Sequence, residues 1–236
     1  MTDQIELIPR ILDSKVLESY REAIKIYGEK AQSSLNVFQD RSGVLTGSNC
    51  FAPIVLRDLL PKSSRLATMA DLGLATEIDP QFLFGFFLDT GLVLRTEGDY
   101  YKPNDSLAKD LAKQLNKRRI DLKHPKVIYF DALDLRQNKN STYGLSYVLN
   151  ERAKIGENII DAPKFARNFN FRTIDERGIP IEDSNGSRHL YTKKNRLSRF
   201  FLGRVLDLDS SWEDLAYSDG NGRVVIIDAE GIAKNF

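Results

Sequence analysis

The side chains capable of nucleophilic, acid–base or metal chemistry are few and scattered in this sequence. Its two histidines, His124 and His189, lack metal-ligand spacing to any partner, so we interpret each as a surface or capping residue. The single cysteine, Cys50, stands beside Phe51 and fits a small buried hydrophobe better than a nucleophile. One cysteine also excludes an internal disulfide and favours a reducing, cytoplasmic location. We expect no metal site and no cofactor.

Carboxylates are more numerous, and nucleases gather such groups around Mg²⁺. The nearest approach to the usual nuclease pattern, a strand-borne acid followed by Glu-x-Lys, is Asp228-Ala229-Glu230. Gly231 and Ile232 follow it, so the lysine is missing. An enzyme acting on DNA, of a restriction or repair type with its active site in the C-terminal half, stays an alternative hypothesis. Its acidic candidates are Asp131, Asp134, Asp161, Asp175, Glu176, Asp207, Asp209, Asp228 and Glu230.

Positive charge is the stronger chemical signal, because it is concentrated locally in a chain whose net charge is only +1. Residues 102–126 contain eight lysines and arginines against three aspartates, and residues 188–204 contain six with no acid. The second segment also contains His189, Tyr191 and Phe200. Basic side chains displace counterions from phosphates and aromatic rings stack on bases, so this pattern favours nucleic acid. The predicted phosphate contacts are Arg95, Lys102, Arg188, Lys193, Lys194, Arg196, Arg199 and Arg204.

A second interpretation of the segment 188–204 stays open. Phe200, Phe201 and Leu202 are equally suited to a hydrophobic core, with the lysines and arginines on a solvated face. The acid-rich stretch 205–230 would then supply their ion-pair partners.

The elements that would position these residues differ between the two halves of the chain. Apolar residues of the segment 4–35 recur at spacings of three and four, which predicts a helix, and the segment 39–50 is typical of a loop. A further amphipathic helix is predicted over 106–119. In the second half we predict strands over 126–135 and 222–230 and helices over 143–153 and 195–206.

The segment 51–104 is predicted to form three short helices followed by a β-hairpin. The hairpin is expected in LVLRTEGDYYKPN (92–104), with its turn at Glu97-Gly98-Asp99. The stretch LATMADLGLATEIDPQFLFGFFLDTGLVLRTEGDYYKPN resembles the winged helix-turn-helix superfamily. That resemblance implies a fold whose third helix enters a DNA groove and whose wing touches the DNA backbone.

The predicted third helix departs from a DNA-reading helix, because it carries no lysine or arginine. It presents six large apolar residues in seven positions, from Phe82 to Leu88, and these cannot all face one core. A similar segment heads the small-molecule O-methyltransferases, where it serves dimerisation, although the glycine-rich cofactor-binding element of those proteins has no counterpart here. We therefore expect a homodimer in which the wing and the segment 188–204 contact phosphate.

Taken together, the patterns predict an α+β protein with a helical N-terminal half containing a winged helix, followed by a mixed α/β C-terminal region. The predicted units are 1–50, an N-terminal helix and loop; 51–120, the winged-helix domain; and 121–236, the C-terminal domain. The leading hypothesis is a cytoplasmic, dimeric DNA-binding regulatory or accessory factor. A protein–protein interaction module without a nucleic-acid role stays open. No stretch approaches the ~18 apolar residues of a membrane span, so no membrane partner is expected.

Overall fold

A computed structural model describes residues 7–99 and 101–229 and shows a mixed fold in which strands predominate. The strands are β1 (Leu7–Ile11), β2 (Gln39–Arg41), β3 (Val44–Thr46), β4 (Ser64–Leu66), β5 (Leu88–Leu94), β6 (Lys126–Tyr129), β7 (Leu133–Gln137), β8 (Leu145–Leu149), β9 (Ile159–Asp161), β10 (Phe169–Ile174), β11 (Pro180–Glu182), β12 (Arg188–Thr192), β13 (Leu197–Leu202), β14 (Leu208–Ser210) and β15 (Val225–Ala229). The helices are α1 (Leu17–Ala23), α2 (Glu29–Leu35), α3 (Ala52–Arg57), α4 (Met69–Ile78), α5 (Pro80–Leu83) and α6 (Asp105–Lys117).

An eight-stranded mixed sheet forms the centre of the fold and curls along its length. Its strand order is β11–β10–β12–β14–β13–β5–β6–β9, and all neighbours are antiparallel except β12 and β14. A three-stranded antiparallel sheet, β1–β15–β4, brings the two ends of the described chain together. The pairs β2–β3 and β7–β8 form separate two-stranded units.

The predicted helical N-terminal half is wrong. Helix accounts for only 29% of the described residues, and the first half contributes the five strands β1 to β5. The segment expected as one helix over 4–35 begins with β1, an edge strand that tolerates Pro9 although proline has no amide hydrogen to donate. Across the ranges 7–99 and 101–229, none of the helices has the length and apolar content that a bilayer crossing requires.

Two segments predicted as helices, 143–153 and 195–206, form the strands β8 and β13 instead. All six side chains of β13 are buried, because the strand lies between β5 and β14 and is covered on both faces. Its sequence LSRFFL therefore lacks the alternation of a half-buried strand, and periodicity alone does not separate such a run from a buried helix. The helix predicted over 106–119 and the strand predicted over 222–230 are confirmed as α6 and β15.

The segment 51–104 contains the first two helices expected of it, α3 and α4. α4 begins after Thr68, which exchanges hydrogen bonds with Asp71 in a capping box. The third predicted helix is reduced to the four-residue α5, because the chain enters β5 soon afterwards. The wing hairpin predicted over 92–104 is wrong: β5 pairs with β13 and β6, and Lys102–Asn104 is a 3₁₀ turn.

The hydrophobic core lies on both faces of the central strands β5 and β13. Leu92 and Leu197 belong to one core, which α3 and α6 cover, whereas Val93 and Phe200 belong to the other, which α4 covers. Successive residues of each strand thus serve opposite faces, as extended backbone requires. The boundary predicted at residue 120 falls between β5 and β6, which are hydrogen-bonded neighbours in this sheet.

Candidate anion-binding site

A cavity of about 480 Å³ opens beside the C-terminal end of β5, where four segments of the chain meet. Residues 95–98 follow β5, residues 123–125 precede β6, residues 193–194 precede β13, and the 3₁₀ turn Pro163–Ala166 forms the remaining side. The fold thus joins parts of both basic segments of the sequence in one place.

Gly98 allows the loops that carry Arg95 and Lys194 to lie in contact. Its φ is 138°, and a Cβ at this position would stand 2.0 Å from the carbonyl oxygen of Lys194. Backbone hydrogen bonds fasten the same loops: Arg95 N donates to Arg196 O at 2.7 Å, and Asp99 N donates to Lys194 O. This contact between distant segments takes the place of the predicted wing hairpin.

The lining of the cavity is predominantly cationic. Arg95, Lys123, Lys193 and Lys194 contribute positive charge and Glu97 contributes one negative charge, so the formal sum is four minus one, or +3. The three lysines are exposed to solvent. Such a concentration of charge in a nearly neutral chain attracts anions locally.

Arg95 is the buried member of this set, with 6% of its surface exposed. Its guanidinium donates to the hydroxyl oxygens of Ser198 and Ser210, each at 2.9 Å. It also donates to the carbonyl oxygens of Asn195 at 3.2 Å and Phe165 at 3.4 Å. The carbonyl oxygen of Ser210, at 3.4 Å, is a fifth acceptor. All five acceptors are neutral, so they solvate the guanidinium without neutralising it.

Burial lowers the pKa of Arg95 to about 10, which still leaves the side chain charged at neutral pH. Among the residues that the structure describes, no carboxylate offsets this effect of burial. A buried charge without a counter-ion costs several kcal/mol in practice, of the order of the effective desolvation penalty of one ion. The adjoining cavity is where an anion would reduce that cost.

Arg199, the other deeply buried arginine among the predicted contacts, lies outside this cavity. It projects from β13 on the face opposite Ser198 and donates to both carboxylate oxygens of Asp89, at 2.9 and 2.6 Å. Asp89 is itself fully buried. Arg199 therefore belongs to an internal ion pair.

The remaining predicted contacts also lie outside the cavity. Lys102 is exposed at the start of a 3₁₀ turn, and Arg204 is exposed in the turn between β13 and β14. Arg188 on β12 covers the ring of Phe171 at 4.6 Å. Arg196 is half-buried, and its backbone N–H and carbonyl bind the loop that follows β5.

Sequence reasoning missed two residues of the cavity as contacts, Lys123 and His124. The available signal was their position directly before Pro125 and β6. Because β6 runs antiparallel to β5, its start lies beside the end of β5 and hence beside Arg95. Using that signal requires the pairing of the two strands to be known.

The acidic residues considered for a nuclease site are dispersed over the fold. In the described ranges there is no group of three or more His, Cys, Asp or Glu side chains that could hold a metal ion. Glu230 lies outside the described residues. Several of the other carboxylates are held by cations, in the pairs Asp134–Arg57, Asp161–Lys126, Asp175–Arg177 and Asp228–Arg10.

No protein-family model, curated protein or solved structure matches this chain. These comparisons therefore give no support to the resemblance of residues 51–104 to the winged-helix superfamily, and β5 pairs with β13 and β6 instead of forming the hairpin that the resemblance implies.

Proposed function

We propose that this protein binds nucleic acid through its phosphates, and that the cavity lined by Arg95, Lys123, Lys193 and Lys194 is the phosphate site. DNA is the expected partner, and the expected role is that of a regulatory or accessory factor. The observation that supports this most is Arg95: a buried cation whose acceptors are all neutral stands beside three exposed lysines.

The buried and exposed cations have different tasks. The donors of Arg95 already point to Ser198, Ser210 and carbonyl oxygens, so its charge acts on a phosphate without a direct hydrogen bond. A charge in a low-dielectric interior acts more strongly at a distance than the same charge in water. Lys193 and Lys194 supply the direct contacts and displace counterions from the phosphate backbone.

The size of the cavity fits more than a single small anion. One water molecule occupies about 30 Å³ of liquid, so a cavity of about 480 Å³ has room for a phosphate together with its sugar. A nucleic-acid strand bound here would pass over the lysines on the exposed walls, and these lysines would contact its neighbouring phosphate. This favours a polymer over a free inorganic ion.

Dimerisation is the second part of the proposal. Ile78, Phe84 and Val205 are large apolar side chains that are more than half exposed. Gly85 N donates to Arg204 O at 2.8 Å, which brings the loops of Phe84 and Val205 together. Grouped exposed apolar side chains are typical of interfaces. In sedimentation velocity, we expect a dimer for the wild type and a monomer for Phe84→Ser; a monomeric wild type would contradict this part.

Phosphate binding is tested by fluorescence anisotropy of labelled duplex and single-stranded DNA at two salt concentrations. We expect saturable binding that weakens steeply as salt increases, because counterions are released. Lys194→Glu should weaken binding by about tenfold or more. Lys102→Glu is the matched control, since it reverses the charge of an exposed lysine outside the cavity, and its effect should be much smaller.

Two results would contradict the proposal. If no DNA binds at about 50 mM salt, or if binding shows no dependence on salt, nucleic acid is the wrong partner. If Lys194→Glu and Lys102→Glu reduce affinity equally, the cavity is the wrong site.

A further inference from the structure

A second cleft lies beside Arg199 and has the opposite chemical character. Four aromatic side chains contribute to its walls, namely Phe87, Phe201, Trp212 and Tyr217, and Ser48 and Asp219 contribute polar groups. Arg199 lines it as well, but this arginine is neutralised by Asp89. The cleft is therefore aromatic, with a carboxylate at Asp219 instead of a cluster of exposed cations.

Trp212 and Tyr217 present the most accessible surfaces of this cleft. They are 45% and 44% exposed, and their ring centroids lie 5.3 Å apart at an interplanar angle of 43°. Behind them, Phe87 and Phe201 meet edge to face at 5.9 Å. The inner rings thus support the fold, and the outer pair offers π surface to a ligand.

The polar groups of the cleft favour a neutral ring with a polar edge. Ser48 Oγ is buried, and no described residue is its hydrogen-bond partner. Asp219 Oδ1 already accepts the backbone N–H of Asn221 at 2.6 Å, and its negative charge and other carboxylate oxygen favour a ligand N–H over a phosphate. A nucleobase combines the two features that these groups select, since its faces stack and its edge carries N–H and C=O groups.

The cleft is small, at about 60 Å³. A nucleobase exceeds this volume, so it would lie against Trp212 and Tyr217 with its polar edge directed inward, while the sugar and phosphate stay outside. A duplex does not offer such a base face, because its bases are stacked on one another. The cleft is suited to an unstacked base.

We propose that this aromatic cleft binds an unstacked nucleobase by stacking it on Trp212 and Tyr217. If the base belongs to a single strand, this inference rests on the proposed function, because the cleft would bind the base while the cavity beside Arg95 binds the phosphate. A free nucleotide and a single strand present the same base, and the experiment separates these two sources.

Trp212 is the only tryptophan of the chain, so fluorescence excited at the long-wavelength edge of tryptophan absorption, where the nine tyrosines do not absorb, reports on this cleft. We expect saturable quenching of that fluorescence by thymidine monophosphate and by oligothymidylate. Tyr217→Ala should weaken the binding of both ligands by about tenfold, which lies within the range of base–aromatic stacking energies. Tyr191→Ala is the matched control for the mononucleotide, since Tyr191 is about equally exposed but lies outside the cleft, and it should leave quenching by thymidine monophosphate unchanged.

Anisotropy of labelled oligothymidylate, measured in parallel, separates the two proposals. Binding without quenching would overturn the cleft and leave the phosphate site standing. Quenching by the mononucleotide without oligonucleotide binding would support the cleft as a free-nucleotide site and contradict the proposed function. Equal quenching by a duplex, or quenching by a neutral pyranoside but not by the nucleotide, would overturn the nucleobase assignment.

Discussion

Arg95 and Arg199 are almost equally buried, at 6% and 5% exposed, and they lie at the same pair of strands. Arg199 faces the carboxylate of Asp89, whereas Arg95 faces only hydroxyl and carbonyl oxygens. Burial lowers the pKa of Arg95 to about 10. Burial acts in the same direction on Arg199, but the charge and hydrogen bonds of Asp89 outweigh it and raise the pKa of that guanidinium.

Equal burial of two arginines thus has opposite consequences for stability, depending on the counter-ion. When a buried arginine has an internal counter-ion, that carboxylate offsets the cost of burying its charge. Removing the arginine then leaves the carboxylate buried without a partner. An arginine without one costs stability in the free protein, and this cost is reduced when an anion binds nearby. The cavity beside Arg95, with its exposed lysines, offers a place for that anion, and the surroundings of Arg199 are already neutral.

The largest expected effect is on the Arg199 side. Arg199→Met strands the buried carboxylate of Asp89, and we expect a loss of about 3–5 kcal/mol in the free energy of unfolding by urea denaturation. The double variant Arg199→Met/Asp89→Leu removes both charges and should recover most of that loss. A single variant as stable as the wild type would contradict this account, because the buried carboxylate of Asp89 would then need no internal counter-ion.

Gly98→Ala tests how the cavity beside Arg95 is assembled. The substitution puts a Cβ against Lys194 O and imposes a strained φ, so we expect a loss of about 1–3 kcal/mol together with weaker DNA binding. Gly43→Ala is the control: its φ is 82° but no atom lies within 4 Å of the added Cβ. Gly43→Ala should retain DNA binding, and equal losses of binding in both variants would exclude a specific role for the Gly98 contact.

The exposed lysines allow a finer measurement. If Lys193 and Lys194 each neutralise one phosphate, alanine at either position should reduce the slope of log K against log salt by about 1. Lys102→Ala should leave the slope unchanged. Unchanged slopes in all three variants would mean that the phosphate contacts lie elsewhere.

The smallest expected effect is on the chemical reactivity of Cys50, whose Sγ lies 3.9 Å from Asp89 Oδ1. Burial, reinforced by the negative charge of Asp89, raises the pKa of this thiol, and the thiol form is a poor nucleophile. We expect native wild type and Arg95→Met to be inert to an aromatic disulfide reagent, and Arg199→Met to react measurably faster. Rapid reaction of the native wild type would contradict the claim that close packing around Arg199 and Asp89 shields the Cys50 thiol.

Local patterns in the sequence predicted some elements well. The helix α6 follows from Leu107, Leu111 and Leu115, which recur every fourth residue and are all buried. The strand β13 does not follow from its pattern, because a strand covered on both faces shows no alternation. That error placed Arg199 on a predicted helix as a phosphate contact, whereas the strand buries it against Asp89.

The site was predictable only in part. The density of charge around Lys193 and Lys194 marks them in the sequence, and they do line the cavity. Arg95 was chosen as a wing residue, whereas the structure buries it between Ser198 and Ser210, which come from strands more than 100 residues away along the chain. Burial of a charge is a property of tertiary pairing, so no local pattern distinguishes Arg95 from Arg199.

The most direct test of the claim about Arg95 is thermal unfolding of the wild type and Arg95→Met at increasing phosphate concentrations, with chloride at matched ionic strength as the reference. We predict that phosphate raises the Tm of the wild type more than chloride does, because a ligand of the native state stabilises it. Arg95→Met should lose this excess, and without phosphate it should be no less stable than the wild type, because it removes a buried charge that has no internal counter-ion and strands none. A severely destabilised Arg95→Met that keeps the full phosphate response would contradict the claim.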